Sequence, residues 1–485
     1  MNVFVSRIFS AAIIAVAASF CTPAQPVPAP VPAPAAVPAR SLLAERYRPA
    51  ADRIVAAALA DSAAWHRVAR LTDTFGHRLS GSRSLENAID WILAEMRRDG
   101  LENVRGEPIM VPHWVRGEES ATLVRPRATA LRMLGLGRSI GTPPGGITAP
   151  VLVVASFDEL TRRASEVPGK IVLFNVPFTS YGETVRYRSS GAIEAARHGA
   201  VASLTRSVAS NSINSPHTGA MRYDTAVRQI PAAALSVEDA AMLGRMQARG
   251  EEVVVTLKME ARTLADAQSR NVVAELRGTE RPEEIVVVGG HIDSWDVGTG
   301  AMDDAGGSVA AWEAVRLLKR LGLRPRRTIR VVLWTNEENG LRGATGYRDA
   351  HAAELDNHVL AMESDNGVFK PSGYYMAGGA AALATTKEIA SLLSGIGATS
   401  ATEGGPQADV SPLAERGIPA AALNVDGSRY FWYHHSDGDT MDKLSPRDLN
   451  ECIAAMAVMV YVAADMPERF PRATAADSVR RRVPR

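Results

Sequence analysis

The sequence predicts an α/β protein: a mostly parallel sheet flanked by helices, with a second, smaller α/β unit inserted into it. Two patterns carry that prediction. From about Ala265 onward, strand-like and helix-like segments alternate regularly: EIVVVGG, AGGSVAAWEAVRLLKRLG, RTIRVVLWT, LRGATGYRDAHA, HVLAMESD, TTKEIASLLSGIG, IPAAALNV and SPRDLNECIAAMAVMVYVAADM. Such alternation builds parallel sheets covered on both faces. Upstream, the Gly/Pro-rich stretch LGLGRSIGTPPGGITAP marks a break in composition. It is followed by separate strands (APVLVVAS, GKIVLFNV, EEVVVTLKM) and helices (SSGAIEAARHGA, SVEDAAMLGRMQARG). A chain of 485 residues is also too long for one ordinary core.

Taken in order, the first forty residues stand outside that fold. Residues 1–21, MNVFVSRIFSAAIIAVAASFC, set a lone Arg7 before an apolar run of signal-peptide length that is too short to span a bilayer. The protein is therefore expected to be exported, periplasmic or secreted. Residues 22–40 are rich in Pro and Ala and read as an extended spacer. Cys21 stands where a lipoprotein carries its acylated cysteine, but the bulky Phe20 before it disfavours that cleavage. A membrane is a partner only if Cys21 is lipidated. The other cysteine, Cys452, lies in an apolar helical pattern and is expected in the core.

From Ser41 the pattern is helical. SLENAIDWILAEMRRDG places Leu85, Ala88, Ile89, Ile92, Leu93 and Met96 on one face, with Ser84 as N-cap and Gly100 as the stop. VRGEPIMVPHWVRGEESATLV then alternates as strands do. With 54 basic and 53 acidic residues the net charge is +1, so no basic excess argues for nucleic acid or an anionic membrane surface. Partners must be sought in a pocket.

The stretch VVVGGHIDSWDVGTGAMDDAGG, residues 286–307, runs an apolar strand into one histidine, four aspartates and six glycines. No turn needs that much carboxylate. In open α/β sheets functional residues gather where strands leave the sheet at their carboxyl ends. Here each exit carries ligand-type residues: His291 and Asp293, Glu337 and Glu338 in WTNEENG, Asp365 in MESDNG, and His434 and His435 in WYHHSDGDT. Asp293 can accept a hydrogen bond from the ring nitrogen of His291 that faces away from a metal. Asp304 can cap the following helix, leaving Asp303 as the candidate bridging ligand. Adjacent glutamates can divide between metal ligation and proton transfer, and histidine plus carboxylate without cysteine suits zinc in a hydrolytic site. Three ligand carboxylates and a hydroxide carry four negative charges, which two divalent cations cancel.

GGHIDSWDVGTGAMDDAGG, LRPRRTIRVVLWTNEENGLRGA, MESDNG and YHHSDGDTM, in that order, resemble the co-catalytic di-zinc exopeptidases that include bacterial leucyl aminopeptidases and glutamate carboxypeptidase. IGTPPGGITAPVLVV, RSVASNSINSPHTG and ALSVEDAAML extend the likeness over nearly the whole mature chain. The resemblance implies two Zn2+ ions per subunit bridged by Asp303, with His291 and Asp365 on one and Glu338 and His435 on the other. Glu337 would be the general base and the Asp303–Asp304 peptide would be cis. His435 is preferred to His434 because the family's spacing to the following acid and Thr fits HSDGDT.

The resemblance also implies a zinc exopeptidase fold over residues 41–121 and 263–470, a protease-associated insert over 122–262 and a polar tail at 471–485. It implies a homodimer acting on short peptides, most simply dipeptides with free termini, through a zinc-bridged hydroxide. Aminopeptidase action on longer peptides is the alternative. Two rival classes are receptors of this architecture that only bind, disfavoured by the complete ligand set and Glu337, and single-zinc glutaminyl cyclases, disfavoured by the HIDSWDVGTGAMDD run and the order of the motifs after it. Within the insert, His217 in SINSPHTG belongs either to a surface loop or to a loop that covers the catalytic rim and contacts a short substrate.

Overall fold

The computed structural model describes residues 42–473; the signal segment, the spacer, Cys21 and the tail beyond residue 473 lie outside the described residues. Sixteen strands among the described residues build two eight-stranded sheets. The first ten are β1 (Glu102–Val115), β2 (Glu119–Arg125), β3 (Thr129–Leu131), β4 (Met133–Gly135), β5 (Ile147–Val154), β6 (Ile171–Phe174), β7 (Ala202–Arg206), β8 (Ala232–Leu235), β9 (Val254–Met259) and β10 (Arg262–Leu276). The rest are β11 (Arg281–His291), β12 (Arg327–Trp334), β13 (His358–Glu363), β14 (Pro371–Ala377), β15 (Ser400–Glu403) and β16 (Ala420–Val425).

The larger core surrounds the sheet ordered β1-β10-β12-β11-β13-β16-β14-β15. Its four central strands β12, β11, β13 and β16 are parallel, as the alternating pattern predicts. The sheet as a whole is mixed, however, and this corrects the expectation of a mostly parallel one. β10 runs antiparallel to β12 and to β1, and β14 runs antiparallel to β16. The connections explain the reversal. Only residues 277–280 join β10 to β11, and no helix separates β13 from β14. A parallel return needs a longer crossover, usually helical.

Helix Pro446–Asp465 is buried on all sides from Leu449 to Ala464, as an apolar-all-round helix must be. Ser445 caps it, accepting the Asp448 N–H at 3.3 Å. It packs against helices Leu42–Leu59 and Gly306–Arg320. Each Val, Leu or Met buried there contributes about 1.5–3 kcal/mol. Cys452 is one of these core residues, its thiol donating to the Phe369 carbonyl at 3.1 Å. In helix Arg83–Arg98 the six predicted apolar residues are buried. Its cap is Ser82 rather than Ser84: Ser82 Oγ accepts the Leu85 N–H at 3.2 Å, while Ser84 Oγ donates back to the His77 carbonyl.

The second sheet, ordered β3-β2-β9-β5-β6-β7-β8-β4, is parallel from β5 to β8 and antiparallel at both edges. Alternate residues of one strand enter opposite cores, Leu173 on one face and Val172 and Phe174 on the other. Helices Tyr181–Arg197 and Val237–Ala248 begin on Ser180 and Ser236, which accept the N–H groups of Glu183 and Asp239. Among the described residues no helix is long and apolar enough to cross a membrane.

Candidate metal centre

The four parallel strands end at one rim. His291 is the last residue of β11, Glu337 and Glu338 follow β12, Asp365 follows β13, and His434 and His435 follow a short helix, Tyr430–Tyr433, beyond β16. The distances between their polar atoms are short. Asp303 Oδ1 lies 3.1 Å from His291 Nε2, which is also 3.3 Å from Asp365 Oδ1. Asp303 Oδ2 lies 3.3 Å from His435 Nε2, which is 3.0 Å from Glu338 Oε2. All five predicted ligands therefore converge in two groups that share Asp303.

His434 competes with His435 on distance alone. Its Nε2 is 3.7 Å from Asp303 Oδ2, its ring stacks on that of His435, and Asp303, His434 and His435 could together hold an ion. The contact with Glu338 is what favours His435. That residue has φ 61°, the left-handed region that residues with a Cβ seldom enter.

Residues behind the ligands fix them. Asp304 takes two N–H groups, that of Gly307 with Oδ1 and that of His291 with Oδ2, both at 3.1 Å. It is thus the cap the sequence suggests and also a brace for a ligand strand. The Asp303–Asp304 peptide is cis. A side chain at Gly290 or Gly307 would run into the Asp304 carboxylate, which explains glycine at both positions. Asp293 departs from its predicted contact. The His291 Nδ1 donates to the backbone carbonyl of Asp293 at 3.0 Å, whereas the nearest carboxylate oxygen is 3.9 Å away. That carboxylate instead accepts the N–H groups of Glu337 at 3.0 Å and Glu338 at 3.4 Å. Asp293 lies beyond the end of β11, where the two-residue pleat that would set it beside His291 no longer applies, and its side chain turns toward the neighbouring exit.

A cavity of about 320 Å³ opens on these groups, lined by Asp303, Glu337, Glu338 and Asp365 together with Asn366, Gln407, Tyr430 and Phe431. The second sheet's unit contributes Tyr181 and Arg188 from helix Tyr181–Arg197. Tyr181 stacks on Phe431 at 5.1 Å. Arg188 is buried, donates to Tyr181 Oη at 2.8 Å and to the Thr218 carbonyl at 3.3 Å, and its Nε has no partner among the described residues. Sequence reasoning missed both, since an arginine about two turns into a helix looks like any solvated one. His217, which it did single out, lies off the cavity wall. It is buried, with Nδ1 2.6 Å from the His434 carbonyl, and burial lowers its pKa to about 4. The turn-forming composition around it signals a loop but not which residue of the unit faces inward.

The charges fit bound cations. Burial, together with neighbouring acids, pushes the carboxyls of Glu337 and Glu338 well above the usual range. Asp303 is buried too, yet the His291 ring bonded to it and the His435 ring beside it hold its carboxyl well below that range. Asp303 Oδ2 has no aligned hydrogen-bond partner despite the nearby His435 ring. Atoms that approach without aligning are aimed at a common point between them, and His plus carboxylate oxygen is a donor set that zinc accepts.

A rim of this construction, with an unliganded acid beside two ligand groups, defines a metal-dependent hydrolase. The comparisons narrow it. Residues 271–460 match the model of peptidase family M28. Carboxypeptidase Q of Mus musculus is 52% identical over 408 residues, covering 84% of this chain and 87% of that protein. The crystal structure of a peptidase M28 precursor from Shewanella amazonensis SB2B superposes with a TM-score of 0.86 at 34% identity, covering 89% of this chain and 100% of that one. A zinc aminopeptidase from Bacillus subtilis shares the fold at a TM-score of 0.65 and 21% identity, over 85% and 97% of the two chains. The chain belongs to peptidase family M28, as a carboxypeptidase Q-like, zinc-dependent exopeptidase.

Proposed function

We propose that this exopeptidase cleaves short peptides, most simply dipeptides with free termini, at a centre that takes two zinc ions. The observation that carries the reading is the division of Asp303, one oxygen toward His291 and the other toward His435. His291 and Asp365 would hold one ion, Glu338 and His435 the other, with Asp303 shared. When bound, zinc supplies Lewis acidity toward water and the peptide carbonyl.

The protein's own part is proton transfer and placement. Glu337, on the cavity wall, takes a proton from the water that adds to the carbonyl carbon. It returns that proton to the amine nitrogen as the C–N bond breaks, leaving a free acid and a free amine. Burial, together with the neighbouring acids, raises the Glu337 carboxyl well above the usual carboxylate range. The cavity, about 320 Å³, suits a short substrate. Arg188 makes no carboxylate ion pair among the described residues, so its guanidinium is available to a substrate carboxylate.

The unit at residues 122–262, read as a protease-associated insert, thus helps to wall the site. Export through residues 1–21 and a homodimer belong to the same reading. Zinc analysis combined with a dipeptide panel tests it. Two zinc ions per chain and turnover of dipeptides above longer peptides are expected; cyclisation of N-terminal glutamine, or one ion per chain, would overturn it.

A further inference from the structure

Asp439 is buried and lies outside the ligand set, in the turn that follows His435. Its carboxylate accepts two backbone N–H groups, that of Met302 with Oδ1 at 2.7 Å and that of Asp303 with Oδ2 at 3.1 Å. Its own carbonyl accepts the Thr299 N–H at 2.8 Å, and its N–H donates to the Ser436 carbonyl at 3.1 Å. The turn carrying His435 is therefore bonded at three points to the loop carrying Asp303. Behind that loop the fully buried Arg78 donates to the carbonyls of Ile292, Thr299 and Gly300 at 2.8, 2.8 and 2.9 Å. The Asp303 loop is thus held from both sides through its backbone, which leaves its side chain free to divide between the two ligand groups.

We infer that Asp439 is a positioning residue that locks the Asp303 loop to the His435 turn and so sets the spacing of the two metal positions. The inference rests on Asp303 being the shared ligand. Two acceptors on one carboxylate meet two consecutive N–H groups, a match that asparagine cannot make because its amide nitrogen offers no lone pair. Outer-sphere partners of this kind control metal affinity as well as ligand orientation. Gly298 gives an independent handle. It has φ 61°, and a side chain there would meet the Ser436 and Asp439 carbonyls at 2.7 and 2.8 Å, pushing the turn away without touching the carboxylate.

The test measures zinc affinity by equilibrium dialysis for the full chain, Asp439→Asn and Gly298→Ala, alongside the melting temperature of each metal-free protein. Both variants should lose zinc affinity at both positions together, by roughly 10- to 100-fold, in protein that the metal-free melting curve shows to be folded at the dialysis temperature, although strain at Gly298 and the lost acceptor at Asp439 lower both melting temperatures. If the unsubstituted protein binds two ions and a folded Asp439→Asn or Gly298→Ala protein binds both with undiminished affinity, the inference is wrong. If one variant does not fold, the other decides. Fewer than two ions on the unsubstituted protein would sink the shared-ligand reading instead.

Discussion

The carboxylate of Asp293 accepts the backbone N–H of Glu337 at 3.0 Å. An acid at the end of one strand thereby holds the turn at the end of its neighbour, and the side chain of Glu337 is left free to face the cavity. Ser80 Oγ, 3.3 Å from Asp293, adds a third donor to that carboxylate. Losing hydrogen bonds of this kind would leave buried charge unsatisfied, so the arrangement couples local stability to the orientation of the proposed base.

The first prediction follows for Glu337. Glu337→Gln retains the shape and the backbone bonds to Asp293 but removes the proton acceptor. Turnover of dipeptides should fall by roughly two to four decades, with zinc content and melting temperature unchanged. Hydrolysis close to that of the unsubstituted enzyme would assign the proton to another group.

The second concerns metal content. Asp303 contributes to both ligand groups, whereas His291 contributes to one. Elemental analysis of Asp303→Ala should find both positions depleted, and His291→Ala should keep about one ion per chain. Full zinc in Asp303→Ala would rule out a shared carboxylate.

Much of the site was legible because its residues sit where strands stop. An apolar run ending in His291, or in Glu337 and Glu338, announces both the element and its exit, and four parallel strands bring those exits together. What stayed hidden depends on direction rather than composition. The chain quality of PSGYYMA does not say that β14 returns antiparallel, because the missing crossover helix is a property of the connection. The sequence HID does not say that the Asp293 carboxylate turns from His291 toward Glu337. Arg188 acts across a separation in sequence that no local pattern records, and HSDGDT places an acid at Asp439 without saying that it holds the Met302 and Asp303 N–H groups.

A third prediction concerns acid stability and involves a histidine remote from the rim. His358 is buried, its Nδ1 bonded to the Glu354 carbonyl and its Nε2 to the Tyr347 hydroxyl, both at 3.0 Å. Burial lowers its pKa to about 4 from the ordinary 6.5. The unfolded chain then binds the proton first, so the contribution of His358 to stability is complete above about pH 6.5 and is lost as pH falls through about 4. The total is on the order of 3 kcal/mol. Denaturant unfolding at about pH 7.5 and about pH 5 should show a smaller acid-induced loss in His358→Gln than in the unsubstituted protein. Equal losses would place the titration elsewhere.

The fourth prediction tests why an exopeptidase should keep a buried arginine without an acid. Arg188 faces a cavity rich in carboxylates, but those are the proposed ligands and base, and bound zinc would neutralise them. A guanidinium held by Tyr181 and the Thr218 carbonyl, with Nε unpartnered, then presents donors to whatever enters. The fork of N–H groups matches a carboxylate, and the free carboxyl terminus of a dipeptide supplies one. Arg188→Gln should lower kcat/KM for a free dipeptide by about 100-fold while changing little for the same dipeptide amidated at its carboxyl terminus. Because Arg188 Nη1 is also 3.4 Å from His435 Nδ1, zinc content must be measured in parallel. The amide substrate is the decisive control: a variant that loses both substrates equally has lost its metal geometry, and one that keeps its preference for the free carboxylate shows that another group reads it.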